Sequence, residues 1–197
     1  RDSKDFEGKK METSFVYTQN KHIPRLLMVG LGKEADLTVL GWKQVVGVAV
    51  IAAQEKKITK LELVLPQVVA KKFGGRKIGS LTTIAVDMAN YAYDEHKSDE
   101  DARVKRITSV RLVGNLPAQT SKALQSGIED GRVVGEAVNY VRHLGNIPPT
   151  VMTPSYLANE AVKMASEDKK LKTHVLDSAD MKKLGMGCLL GVARGSV

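Results

Sequence analysis

Cysteine is almost missing from these 197 residues. The one thiol, Cys188, excludes an internal disulfide and fits a reducing compartment. With no histidine close to it in sequence, it reads as a small buried hydrophobe. Long apolar runs are missing too. The longest nearly uncharged stretch, Val45–Gln54, falls well short of the roughly eighteen residues that a membrane span needs, so no membrane partner is expected. Residues 1–12 are polar and read as a frayed end or an edge segment, without an apolar signal-peptide core. A mitochondrial presequence that has already been removed is compatible with such a start. Aromatic residues make up only 5% of the chain. The two basic clusters, Lys71–Lys77 and Lys169–Lys172, therefore lack the interleaved rings that stack on bases. The net charge of +8 is also spread out. Residues 1–140 carry 22 basic and 17 acidic side chains, a balance of +5, and residues 141–197 carry 8 and 5, a balance of +3. Solvated faces account for this distribution better than a nucleic-acid interface does.

Catalytic signatures are equally scarce. The four histidines, His22, His96, His143 and His174, are far apart, with no HExxH motif and no Cys/His pairing. Each reads as a surface or hydrogen-bonded histidine. Asp99-Glu100-Asp101 offers three carboxylates, but consecutive residues do not converge on one ion without a glycine-bent loop. No GxSxG elbow is present. The stretch Gln67–Gly79 contains KKFGGRK, a Gly-Gly loop between basic residues. Bare backbone amides and lysines could cradle an anion there, yet the spacing fits neither the dinucleotide nor the P-loop fingerprint, and a surface turn is the better reading. No catalytic, cofactor-binding or metal-ligating residue is assigned.

What is present is a strand–helix alternation. Ser14–Gln19 and Arg25–Gly30 read as strands, joined through the turn-rich Asn20–Pro24. A helix is expected from about Asp36 to Glu55, capped by Asp36 or Thr38, with Leu37, Leu40, Val45, Val48 and Ile51 or Ala52 on its apolar face. Lys60–Leu65 reads as a strand closed by Pro66. Ser80–Tyr93 reads as a helix with Leu81, Ile84, Ala85, Met88, Ala89 and Ala92 on one side. Asp94–Asp101 is a charged break, and Arg106–Val113 is a strand of a largely buried sheet. Thr120 can cap a long helix running to about Leu144. That helix carries Ala123, Gly127, Gly131 and Gly135 at four-residue intervals. Each glycine inside a helix costs about 1 kcal/mol relative to alanine, so this ridge implies a second backbone packed closely against it.

Pro148, Pro149 and Pro154 then punctuate Gly145–Ala158, GNIPPTVMTPSYLA. Each fixes φ and removes a backbone donor, so one helix must end before them. A new one is expected after them, over Ser155–Glu167, with Thr153 as its cap and Pro154 in its first turn. Beyond it, Lys172–Leu176 reads as a short strand, Ser178–Leu184 as a short helix capped by Ser178, and Met186–Val192 as a strand-like apolar run. Alternation on both sides of Pro148 implies an α/β architecture with two sheets.

The segment Asn146–Ala158 resembles the opening of the catalytic domain in the leucyl aminopeptidase family. Val29-Gly30-Leu31-Gly32-Lys33 is similar to the strand-to-helix turn of that family's amino-terminal domain. Ala89–Ser98 (ANYAYDEHKS) resembles its tyrosine-bearing helix end, and Leu176–Ser196 continues the catalytic-domain resemblance with Gly185-Met186-Gly187, Cys188 and Gly195-Ser196. Thr150 stands where the family usually has asparagine, and Ala193-Arg194 where glycine-glutamine is commoner. The resemblance implies a macro-domain-like three-layer amino-terminal domain over residues 1–145, including a linker helix at about 120–144. It implies the start of a second α/β domain over residues 146–197. It further implies a cytoplasmic homo-hexamer acting on peptides with a free amino terminus. The chemistry would be that of two divalent metal ions, zinc, manganese or magnesium. The family's metal motifs, resembling GKG…DTGG and NTDAEGR, do not occur in residues 1–197. No catalytic role is therefore carried over, and this segment by itself is expected to be inactive. A non-catalytic family member that assembles, or a macro-like module that binds nucleotide or nucleic acid, are the alternatives. A start at Arg1 and a stop at Val197 within an apolar run lead us to expect a fragment or a processed chain.

Overall fold

The computed structural model describes residues 5–100 and 103–195. They are mixed α/β and rich in helix, and they divide into two compact units, Arg1–Asn146 and Ile147–Val197.

Among the described residues the first unit begins with an edge segment. Met11 N–H donates to the Gly30 carbonyl at 2.9 Å, and Gly30 N–H donates to the Glu12 carbonyl at 2.8 Å. Strands β1 (Thr13–Tyr17) and β2 (Arg25–Val29) form an antiparallel hairpin with Phe15 opposite Leu27. Helix α1 (Val39–Glu55) follows a short 3-10 turn at Glu34–Asp36. Of the two expected caps, Thr38 fills the role: its Oγ1 accepts from Gly41 N–H at 3.0 Å. The buried face of α1 matches the expected one only in part, at Leu37, Val45 and Ala52. Trp42, Val45, Val46, Val50, Ala52 and Ala53 are buried, while Leu40 and Ile51 are exposed. Trp42 sets this rotation, because its indole N–H donates to Thr82 Oγ1 at 2.9 Å inside the core.

Strand β3 (Lys60–Val64) pairs in parallel with β4 (Ser109–Val113). The expected strand over Arg106–Val113 is shorter than its alternation suggested, because Asn90 holds Ile107 at both backbone groups, at 2.7 and 2.8 Å. Burial alternates along β3, with Leu61 and Leu63 turned inward and Lys60, Glu62 and Val64 outward. On the outer face Arg111 meets Glu62 at 2.9 Å.

The Gly-Gly stretch is where the sequence reading fails. Residues 67–79 are not a loop but helix α2 (Gln67–Phe73) running into α3 (Gly75–Asn90). Gly74 joins them at φ 79°, a left-handed value that favours glycine. Helix α4 (Ala118–Asn146) starts before the expected Thr120 cap and ends just ahead of the prolines. The core packs α1, α2 and α3 around Leu37, Trp42, Val46, Leu65, Val69, Ile78 and Ala85. A satellite group forms around Val50, Ala53 and Ile107.

The second unit holds α5 (Pro154–Glu167), α6 (Ser178–Lys183) and α7 (Gly187–Ala193). Thr153 caps α5 as expected, its Oγ1 accepting from Tyr156 N–H at 3.2 Å. Three expectations fail here. Lys172–Leu176 forms no strand, the cap of α6 is Asp177 rather than Ser178, and Met186–Val192 runs into helix α7. The Asp177 carboxylate wins because it reaches Asp180 N–H at 2.8 Å. Both sheets thus precede Pro148, and among the described residues the second unit has none.

Candidate functional site

The long helix α4 is seated on α3 by glycines on both helices. A side chain at Gly127 would run into the backbone of Arg76, and one at Gly79 into the backbone of Leu124. At Gly131 a Cβ would lie 2.6 Å from the Ser80 carbonyl oxygen. The four-residue ridge read from α4 therefore meets a second one on α3, Gly75 and Gly79, that sequence reasoning missed. The signal was available, since Gly75 and Gly79 have the same spacing, but the loop assignment hid it. Arg76 locks the register with two hydrogen bonds to Asp130, at 2.6 and 3.1 Å. This pairing holds the Asp130 carboxyl below the ordinary carboxylate range.

Toward the end of the seam, α4 caps α3. The last carbonyls of a helix have no partner of their own and carry partial negative charge. Asn139 donates to the Asp87 carbonyl at 2.9 Å, and Arg142 donates to the Met88 carbonyl at 2.8 Å. The Arg142 guanidinium also lies 4.3 Å from the centre of the Tyr91 ring, and Tyr91 accepts from Asn146 at 3.0 Å. The last turns of α4 are thus fixed immediately before the prolines.

A cleft of about 850 Å³ opens beside this clamp, lined by Asp87, Asp94, Arg106, Glu136, Asn139 and His143 among others. The structure brings together here two histidines that are far apart in sequence: the rings of His96 and His143 lie 5.8 and 5.7 Å from that of Tyr93. The charged groups mostly satisfy one another. Asp94 pairs with Arg106 at 3.0 Å and with Lys97 at 3.4 Å, and His143 lies 3.5 Å from Glu95. Asp87 Oδ2, like Asp94 Oδ1, is buried without a hydrogen-bond donor among the described residues. Burial, and then the charge of Glu136, push the Asp87 carboxyl above the usual range against the pull of Arg132.

Other candidates disperse. His22 and His174 are exposed. Asp99 and Glu100 are exposed in the α3–β4 loop, and Asp101 lies outside the described residues. Lys72 donates to the Glu34 carbonyl at 3.1 Å, so the basic stretch at Gly74-Gly75 is a helix junction. Cys188 is exposed rather than buried, because α7 buries no side chain. Among the described residues no three His, Cys, Asp or Glu side chains converge as a metal site would require. Of the acids that line the cleft, Asp94 and Glu95 are held in ion pairs. These residues do not fit a two-metal centre, and no catalytic step is derived through one. No helix among the described residues is long and apolar enough to cross a membrane.

Comparison with known proteins gives this geometry a context. The cytosol aminopeptidase family's N-terminal domain matches residues 2–100, and the same family's catalytic domain matches residues 139–197. A probable cytosol aminopeptidase of Alkalilimnicola ehrlichii is 36% identical over 193 residues, covering 98% of this chain and 39% of the relative. Among solved structures, the bottromycin maturation enzyme BotP aligns with TM-score 0.74 at 21% identity, covering 98% of this chain and 39% of its own. A structure of the same enzyme in complex with Mn aligns at 0.67 and 20% identity, covering 91% and 35%. A tomato leucine aminopeptidase mutant aligns at 0.73 and 20%, covering 92% and 34%. These structural likenesses concern the fold. The chain spans about two fifths of the length of the curated relatives it resembles. With one family domain matching half of the chain and the next following it in order, the chain belongs to the cytosol aminopeptidase family.

Proposed function

We propose that these residues are the amino-terminal part of a two-metal aminopeptidase that removes amino-terminal residues, leucine among them, from peptides. The observation that carries the reading is the 36% identity across 98% of the chain, from the N-terminal domain into the start of the catalytic one. Two divalent ions, zinc, manganese or magnesium, would activate a bridging water and polarise the scissile carbonyl. Their ligands would come from polypeptide outside residues 1–197. The manganese in the BotP complex supports a divalent metal in a related fold.

In this reading residues 1–197 serve folding and assembly. A macro-like domain covers residues 1–145, and the catalytic domain starts at Asn146. The clamp of Asn139, Arg142 and Asn146 on α3 supports that boundary, because it fixes the helix that leads into the catalytic part. The assembly is a homo-hexamer in the cytoplasm. The test is turnover of a leucyl substrate with added manganese. A polypeptide of the relatives' length that carries these residues turns over, and residues 1–197 alone do not. Metal-dependent turnover by the short chain would overturn the assignment of roles, and an inactive long polypeptide with bound metal would overturn the enzyme reading.

A further inference from the structure

The connection over residues 91–108, between α3 and β4, is longer than most links inside a compact domain. Its two ends are fixed. Asn90 holds both backbone groups of Ile107, and Arg106 donates to the Ala92 carbonyl at 2.7 Å and to Asp94 at 3.0 Å. Two turns lie further in, with Lys97 N–H on the Asp94 carbonyl at 3.1 Å and Arg103 N–H on the Glu100 carbonyl at 3.2 Å. The Arg103 guanidinium closes the neck between them by donating to the Lys97 carbonyl at 2.9 Å. Ser98, Asp99 and Glu100 stand exposed beyond that closure.

Ser98 differs from the other described hydroxyls outside helices and strands. Thr18, Thr108 and Thr173 donate theirs to backbone carbonyls, and Thr38 and Thr153 use theirs as helix caps. Thr59 is half-buried beside Lys60, and Thr150 is followed by the apolar Val151 and Met152. The Ser98 hydroxyl makes no hydrogen bond among the described residues. Three acids follow it directly in the sequence, while Lys97 precedes it and Arg103 is bonded to that preceding residue. We propose that Ser98 is the acceptor of an acid-directed protein kinase, with Arg103 as the cation that receives the new phosphate. A basic substrate groove on the kinase attracts Asp99 and Glu100 and rejects Thr59 with its lysines. In the transfer, Ser98 Oγ bonds to the γ-phosphorus of a nucleoside triphosphate as the bond from that phosphorus to the bridging oxygen breaks. The nucleoside diphosphate leaves with the electron pair, and the serine proton passes to the kinase's own carboxylate. The product carries about two negative charges at neutral pH. Arg103 presents five N–H groups, of which the Lys97 carbonyl occupies only part. Pairing with the phosphate therefore tightens the neck and orders the loop. The proposal does not depend on peptidase activity, so none of its readouts is turnover.

The first test takes the natural polypeptide from its own cells with phosphatases blocked and weighs its peptides. The peptide that holds Ser98 shows a fraction about 80 Da heavier, with fragments that place the gain on Ser98. A wholly unmodified Ser98 overturns the proposal, as does phosphate on other residues alone. An acid-directed serine kinase with ATP and magnesium also modifies the same polypeptide at Ser98. Asp99→Asn combined with Glu100→Gln slows that transfer by about tenfold or more, and an unchanged rate overturns the kinase class. Phosphorus NMR then follows the second ionisation of the phosphate, which falls near pH 6 without neighbours. Arg103→Gln raises its midpoint by at least about half a pH unit, whereas Arg111→Gln, on the outer face of β4, leaves it in place. Equal shifts in the two variants, or none in either, overturn the role of Arg103.

Discussion

Residues up to Asn146 and residues after it are built by different means. The first unit buries Trp42, Val46, Val50, Val69 and Ile78 almost completely. In the second unit, helices α5, α6 and α7 bury no residue at all. Leu157, Val162, Met164, Leu189 and Val192 are all exposed there. What the second unit does have is local instruction: the Thr153 and Asp177 caps, Pro154 in the first turn, and Gly185 at φ 71° after α6. Caps contribute about 1 kcal/mol each, whereas short isolated helices are marginal without packing. The difference teaches that local signals specify where helices begin, while burial decides whether they persist. A catalytic domain that opens with such helices needs the rest of its chain to cover their apolar faces.

The sharpest way to break this contrast is to insert volume where the first unit is tightest. Gly127→Val forces a branched side chain against the Arg76 backbone. It should cost at least about 3 kcal/mol and abolish cooperative unfolding of the first unit, read by thermal melts. Gly145→Ala, on the same helix but with nothing within 4 Å, should stabilise by up to about 1 kcal/mol. Equal losses at the two positions would show that the seam is not what makes glycine necessary. Limited proteolysis supplies the complementary comparison. Cleavage should fall first after Pro148 and leave a resistant core ending near Asn146. Initial cleavage within α1 or α3 would reverse the ranking of the two units.

Trp42→Phe is the intermediate case. It removes the indole donor to Thr82 and part of the ring at the centre of the core, for a loss of about 2 kcal/mol in chemical denaturation. A smaller change, Thr153→Ala, deletes the cap of α5 and should cost that helix about 1 kcal/mol. Circular dichroism should show fewer helical residues while the melting of the first unit stays unchanged. A shifted melt would mean that the two units unfold as one.

Much of this was legible in the residues, and the failures have physical causes. Strong local chemistry was read correctly: the proline stop after α4, the Thr153 cap and the β2 and β3 strands. The α4 ridge was also legible, because glycine at a four-residue period has few uses other than close backbone approach. Two kinds of information were not local. The face of α1 depended on a hydrogen bond forty residues away, between Trp42 and Thr82, which no periodicity encodes. The Gly74-Gly75 pair resembled a turn because glycine there serves two roles at once, a left-handed joint at Gly74 and a contact surface at Gly75. Apolar runs in the second unit misled for a different reason. Met186–Val192 carries apolar residues without the partners that would separate strand from helix, so only backbone propensity and Gly185 remained to decide.

The smallest expected effect concerns a single proton. Asp87 lies against Gly135 in the α3–α4 seam with one buried oxygen that accepts no hydrogen bond among the described residues. Burial raises its carboxyl above the ordinary range, Glu136 adds to the rise and Arg132 opposes it. A carboxyl raised on folding favours the folded state only while it keeps its proton. Its contribution is full below the ordinary value of about 4 and is lost as pH climbs through the raised one. Asp130 has the opposite sign, since Arg76 holds it low and its contribution disappears as pH falls. Asp87→Asn removes the first titration and leaves the second. Melts of this variant should therefore exceed the parent chain at neutral pH and converge with it on the acid side. A constant offset across that range would mean that the substitution acts through packing against Gly135. A loss at neutral pH would mean that the carboxylate has a partner in the seam worth more than its burial costs.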